Sequence, residues 1–142
     1  MLPSIRATEV SIEYDGKLFE GEIMLFLVAN TNSVGGFERL APDASLNDGM
    51  FTLLILKKLN LADFIRIVSL TLRGEHTNDP NVIYAKANRI KVTAKDKMML
   101  NLDGEYGGLA PAEFVNLYRH FDVFVPQSFR PDALPQKDIE NE

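Results

Sequence analysis

Two stretches of the chain carry residue types that can do chemistry. The first is Met98-Met99-Leu100-Asn101-Leu102-Asp103-Gly104-Glu105-Tyr106-Gly107-Gly108, an apolar run that passes directly into carboxylates and glycines. Leu100 and Leu102 alternate with Met99 and Asn101, the period-two pattern of a strand with one buried face. Asp103-Gly104 then turns the chain, because Gly accepts positive φ and Asp can hydrogen-bond its local backbone. Glu105 therefore stands at the mouth of a turn, followed by Tyr106-Gly107-Gly108, which reads as flexible. A carboxylate held at the rim of a sheet can take a proton from a hydroxyl, the work of a general base. The plain alternative is a hairpin with a solvated glutamate.

The second stretch is Asp43-Ala44-Ser45-Leu46-Asn47-Asp48-Gly49, whose oxygens are of the kind that Mg2+ and Ca2+ take. It is not an EF-hand loop: the glycine falls one place late, and the twelfth position is Leu54 rather than Glu. It reads either as a local cation site built on Asp48 and backbone carbonyls, or as an Asx turn leading into a strand at Met50.

Other chemistries are excluded by composition. The 142 residues contain no cysteine, which removes disulfides, thiolate metal sites and Cys nucleophiles. Only His76 and His120 are present, which leaves little for a zinc site or a His-centred triad, and each reads as a surface or turn residue. A net charge of -5 without a Lys/Arg cluster argues against nucleic acid as a partner. Asn32-Ser33-Val34-Gly35-Gly36 lacks both the Walker A ending and GxGxxG spacing, so no nucleotide loop is assigned to it. The longest apolar run, Ile23 to Ala29, is far short of a membrane span, and Met1 to Arg6 does not open a secretory signal; the expectation is a cytoplasmic protein.

The elements that must position these residues are mostly strands. Val10, Ile12 and Tyr14 alternate with Ser11 and Glu13 in a half-buried strand from Ile5 to Tyr14, which Asp15-Gly16 turns. Lys17 to Asn30 returns, and its middle, apolar on both faces, predicts a central strand. Thr31 to Asn47 is an irregular loop, and Met50 to Lys57 resumes as a strand. Asn60 is the expected N-cap of one helix, with Asp63 in its first turn, Leu61, Phe64, Ile65, Val68 and Leu72 as its packing stripe, and Gly74 as its stop. Short strands follow at Val82–Ala85, Ile90–Ala94, Met98–Leu102, Phe114–Tyr118 and Phe121–Val125. About eight strands and one helix predict a mainly β fold, an antiparallel β-sandwich or partly open barrel. Residues 127–142 read as a linker or disordered tail after a domain of residues 1–126.

Several linked segments carry a resemblance. Thr31-Asn32-Ser33-Val34-Gly35-Gly36-Phe37-Glu38, Leu40 to Phe51, Arg73-Gly74-Glu75-His76-Thr77 and Asn101 to Gly108 together are similar to the bacterial soluble diacylglycerol kinase family of lipid kinases, Gram-positive type. The resemblance runs from about Met1 to Pro126. It implies the C-terminal β-sandwich domain of a two-domain enzyme whose N-terminal domain holds ATP through Gly-Gly-Asp-Gly-Thr. That motif is missing here, so the expectation is a fragment, inactive alone, with its own N-terminal domain as partner.

By this resemblance Glu105 falls on the catalytic base that deprotonates the hydroxyl of diacylglycerol as it attacks the γ-phosphoryl of ATP. The Asp48 carboxylate, with the backbone carbonyls of Ser45 and Met50, falls on a structural Mg2+ site. The family further implies ATP and Mg2+ as cofactors, diacylglycerol at the inner membrane face as the lipid partner, and peripheral attachment there; it leaves room for a homodimer. Two other readings stay open: a free-standing lipid-binding module without kinase activity, and a kinase for sphingoid bases or phosphatidylglycerol.

Overall fold

The structure is a computed structural model of the chain; it describes residues 6–31, 39–45 and 47–120. In chain order the elements are β1 (Thr8–Tyr14), β2 (Lys17–Ala29), β3 (Phe51–Lys57), α1 (Leu61–Arg73), a 3-10 turn (His76–Asn78), β4 (Val82–Ala87), β5 (Arg89–Ala94), β6 (Met99–Leu102), β7 (Glu105–Leu109) and β8 (Ala112–Val115). Six strands form one antiparallel sheet in the order β4-β3-β2-β1-β5-β8, and β6 pairs with β7 in a separate hairpin. The expected mainly β, antiparallel fold with one helix is what the chain adopts.

The sheet is rolled. A single residue, Asn88, joins β4 to β5, yet these strands flank the β1–β3 trio on opposite sides. Only a sheet bent back on itself allows so short a passage, with one strand turning a corner between two layers. A second contact confirms the curl. Phe26 on β2 and Phe114 on β8 meet edge to face at 6.4 Å, whereas three strand steps in a flat sheet span about 14 Å. Among the described residues no pairing joins the two edge strands β4 and β8, so the barrel stays open.

Alternation decides what lies inside the roll. Val10, Ile12, Ile23, Leu53, Ile55, Ala87, Ile90 and Val92 form the inner core, with Tyr14, Phe26, Met98 and Phe114 packed against it. Glu9 and Glu13 of β1 face outward, as the period-two reading requires. The outer face is covered by α1 where Leu54 and Leu56 of β3 and Val82 of β4 present a second apolar patch. β2 is central, as its doubly apolar middle predicts.

The helix has the expected ends: Asn60 accepts from Asp63 N–H, and Gly74 adopts the left-handed conformation at φ +74°. Its buried face matches the expected stripe only in part: Phe64 packs inward and Val68 is half-buried, as read. Ile67 and Thr71 are buried and Phe64 packs beside them, whereas Leu61, Ile65 and Leu72 are exposed. Two apolar stripes lie side by side on this helix, and the position of Leu54 and Leu56 selects the one at residues 64, 67 and 71.

Three strand readings change as well. Tyr106-Gly107-Gly108 is part of β7 rather than a flexible segment, and Leu102, expected on a buried face with Leu100, is half exposed. The strand expected over Phe114–Tyr118 lies earlier, at Ala112–Val115. The expected strand Phe121–Val125 and the tail at 127–142 lie outside the described residues.

Candidate active site and cation loop

The chain makes two Asp-Gly hairpins with the same local geometry and different uses. Asp15 and Gly16 (φ +45° and +80°) close β1 onto β2; Asp103 and Gly104 (φ +51° and +96°) close β6 onto β7. Positive φ at both central residues is the type I′ turn, whose twist matches that of the flanking strands. The carboxylate of Asp15 is committed to structure, because its oxygens accept from the backbone N–H groups of Asn88 and Arg89 at 2.8 and 2.9 Å, stitching the hairpin to the corner of the roll. At the second turn, Asn101 Oδ1 instead accepts from Gly104 N–H at 2.8 Å. Glu105, the first residue of β7, pairs across the turn with Leu102. Its side chain is exposed, and among the described residues no hydrogen bond or ion pair engages its carboxylate.

The two glycines after Tyr106 are required by shape. A Cβ at Gly107 would lie 2.3 Å from Leu102 Cγ, so the leucine lies across the bare backbone of β7. Gly108 takes φ +100°, which an L side chain rarely adopts. The base of the hairpin is anchored by Leu100 and by Ala110 N–H, which donates to Met98 O at 2.9 Å, while its turn end is exposed. Between β6 and β2 runs a groove of about 1320 Å³, lined by Met24 to Ala29, Met98 to Leu102, Phe51 and Phe114, and bordered by Asn30, Thr31, Asp103 and Gly104. The hairpin end beside Glu105 and the chain leaving β2 therefore share one concave surface.

The loop before β3 has no regular structure of its own in its described residues, 39–45 and 47–50, and is held from outside. Tyr84 and Lys86 alternate along β4 and so share one face, and Asn88 follows two residues on, in the one-residue link to β5. The Tyr84 hydroxyl accepts from Asp43 N–H at 3.3 Å, Lys86 Nζ donates to Asp48 Oδ2 at 2.7 Å, and Asn88 Nδ2 donates to Gly49 O at 2.9 Å. Partial burial raises the Tyr84 phenol above its ordinary value, so the group remains a neutral hydroxyl. His76 sits in a turn, as expected, but is buried; its Nε2–H donates to Leu40 O at 2.9 Å and its ring meets Tyr84 edge-on. Sequence reading missed this clamp, because its partners lie 36 to 41 residues apart.

Asp48 carries both features assigned to it as alternatives. Oδ1 accepts from Met50 N–H at 3.0 Å, which is the Asx turn. The oxygen set of a cation site is also available in kind: one half-buried carboxylate, with the carbonyls of Ser45 and Met50 on the same short loop. These are hard donors of the type Mg2+ takes. Among the described residues no three acidic or histidine side chains cluster, so a cation held here depends on backbone oxygens and water.

Behind the loop, α1 is fixed by an ion pair to the segment between the 3-10 turn and β4. Arg66 Nη1 donates to Asp79 Oδ2, and Asp79 Oδ1 accepts from Asn81 N–H at 2.9 Å. The guanidinium, aided by that N–H, holds the nearly buried Asp79 carboxyl below its ordinary value.

Comparison with known proteins settles the lineage. The profile of the YegS C-terminal NAD kinase beta sandwich-like domain family matches residues 1–135. The chain belongs to this family. Within it, the chain is 72% identical over 127 residues to the diacylglycerol kinase of Bacillus subtilis, covering 89% of this chain and 42% of that protein. It is 51% identical over 138 residues to the diacylglycerol kinase of Staphylococcus epidermidis, covering 97% of this chain and 44% of the relative. Among solved structures, one from Bacillus anthracis superposes with a TM-score of 0.74 at 25% identity, over 84% of this chain and 42% of the other. A crystal structure of a diacylglycerol kinase from the same organism gives 0.64 at 25% identity, over 76% and 37%. The chain thus spans less than half the length of these family members, and its open rolled sheet is the sandwich-like fold of the family. No helix among the described residues is long and apolar enough to cross a membrane.

Proposed function

We propose that this chain is the lipid-facing portion of an ATP-dependent diacylglycerol kinase, with Glu105 as its general base. The observation that carries the reading is an exposed, unpaired carboxylate on a type I′ hairpin whose turn residues Asp103 and Gly104 line an apolar groove, in a chain 72% identical over 127 residues to a diacylglycerol kinase. Glu105 accepts the proton of the lipid hydroxyl as that oxygen bonds to the γ-phosphorus of ATP; the bond from phosphorus to the β–γ bridging oxygen breaks, and its electrons leave with ADP. Such a transfer depends on alignment and charge stabilisation, so the hairpin's task is to hold the acceptor oxygen in line. The nucleotide is held by chain outside these residues.

Asp48, with the carbonyls of Ser45 and Met50, is the proposed seat of a structural Mg2+. When bound, the ion supplies positive charge and fixed coordination that stiffen the loop. Tyr84, Lys86 and Asn88, which fasten the same loop from outside, support this reading. Because the acceptor is a lipid, the working location is the inner membrane face, with peripheral attachment.

The test is a chimera in which the 127 aligned residues of this chain replace the matching 42% of the Bacillus subtilis relative. Incubated with labelled ATP and a panel of diacylglycerol, a sphingoid base and phosphatidylglycerol, it is expected to label diacylglycerol. Preference for another lipid would move the assignment to that acceptor. A folded chimera that labels none would leave a lipid-binding module in place of a kinase.

A further inference from the structure

Among Tyr84, Lys86 and Asn88, which fasten the loop, Lys86 alone brings a charge, and it brings it to the carboxylate assigned to a cation. We propose that Lys86 is the resident cation of the Asp48 loop, so that a divalent ion binds there in competition with an ammonium group already in place. The proposal deepens the reading of Asp48 as a cation seat and rests on it.

Both carboxylate oxygens have donors before any ion arrives: Met50 N–H on Oδ1 at 3.0 Å and Lys86 Nζ on Oδ2 at 2.7 Å. A carboxylate has lone pairs to spare, so space is not the barrier. Charge is the barrier. One negative group cannot neutralise an ammonium and a divalent ion together, and among the described residues no cluster of three acidic or histidine groups assists it. The two side chains are 34% and 24% exposed, so water screens the repulsion only in part. Lys86 cannot drift away at no cost, because β4 is fixed on its inner edge by β3 and its neighbours Tyr84 and Asn88 hold the loop on either side. The loop is therefore fastened by the protein's own groups, and a divalent ion gains only the difference between its own attraction and that of Lys86.

The experiment is a titration of the 142-residue chain with magnesium chloride, read by calorimetry and by amide hydrogen exchange across residues 40–50. In Lys86→Met, Mg2+ should bind about tenfold tighter or more than in the parent. Without the ion that variant should lose loop protection, and with it regain it. Lys86→Arg keeps the charge and should bind as weakly as the parent, and Lys86→Gln should follow Lys86→Met, which guards against a folding artefact of one substitution. Equal affinities in the parent and Lys86→Met, or weaker binding in the variant, would overturn the proposal and leave Asp48 a cation seat. If Asp48→Asn responds to Mg2+ like the parent, the seat itself is wrong and the proposal falls with it.

Discussion

Gly107→Ala is the substitution that most sharply tests how Glu105 is presented. The added methyl would lie 2.3 Å from Leu102 Cγ and 2.8 Å from Cδ1. Ordinary carbon contacts lie near 3.5–4.0 Å, so Leu102 must move by about 1 Å or more. Overpacking of this kind costs about 1–3 kcal/mol, and because Leu102 is 49% exposed and can swing outward, the low end applies, about 1 kcal/mol. Leu102 is the cross-turn partner of Glu105, so the adjustment is passed to the candidate base. Local opening is the right observable, since the hairpin touches the sheet mainly through its base. Amide exchange at Leu102, Glu105 and Ala110 should accelerate about fivefold in Gly107→Ala. Leu102→Ala removes the obstructing atoms, so the double variant should recover most of that loss, giving a coupling of about 1 kcal/mol. Gly104→Ala meets no atom within 4 Å and carries only the strain of φ +96°, and Leu102→Ala should not rescue it. Additive effects of Gly107→Ala and Leu102→Ala would refute the steric argument.

Further outcomes follow from the clamp and the buried ion pair. Asp79 has a folded value below its unfolded one, so its stabilisation is fully present above the unfolded value near 4 and is lost as pH falls through the lower folded value. Asp79→Asn should therefore be less stable than the parent at pH 7, with the gap in urea midpoint narrowing towards pH 3; a gap independent of pH would contradict the pairing. His76→Leu removes the donor to Leu40 O and should cost about 1–2 kcal/mol in urea melts followed by circular dichroism. His76→Gln should recover part of it by returning an N–H, and no difference between the two would count against the clamp.

Much of the fold was legible because its signals are local. Alternation set Val10, Ile12 and Tyr14 against Ser11 and Glu13, both Asp-Gly pairs mark real turns, and Asn60 and Gly74 bound the helix as read. The failures are non-local or steric. Which apolar residues of α1 are buried depends on Leu54 and Leu56, which belong to a strand outside any helical window. Gly107 and Gly108 read as flexible because the need for them comes from Leu102 and from a positive φ, neither visible in composition. The roll at Asn88 and the bond from Lys86 to Asp48 join residues that no window of sequence places together. Glu105 and Asp48 were picked out as residues, while their surroundings, one carboxylate unpaired and the other doubly bonded, came from the structure alone.

The central claim is that the Glu105 carboxylate takes the proton of an acceptor hydroxyl. Its most direct test is turnover of the chimera carrying Glu105→Gln, which keeps size and hydrogen bonding and removes the base. The account predicts a fall in kcat of about 100-fold or more with little change in KM for ATP and an unchanged melting temperature. Turnover within a few-fold of the parent would contradict it.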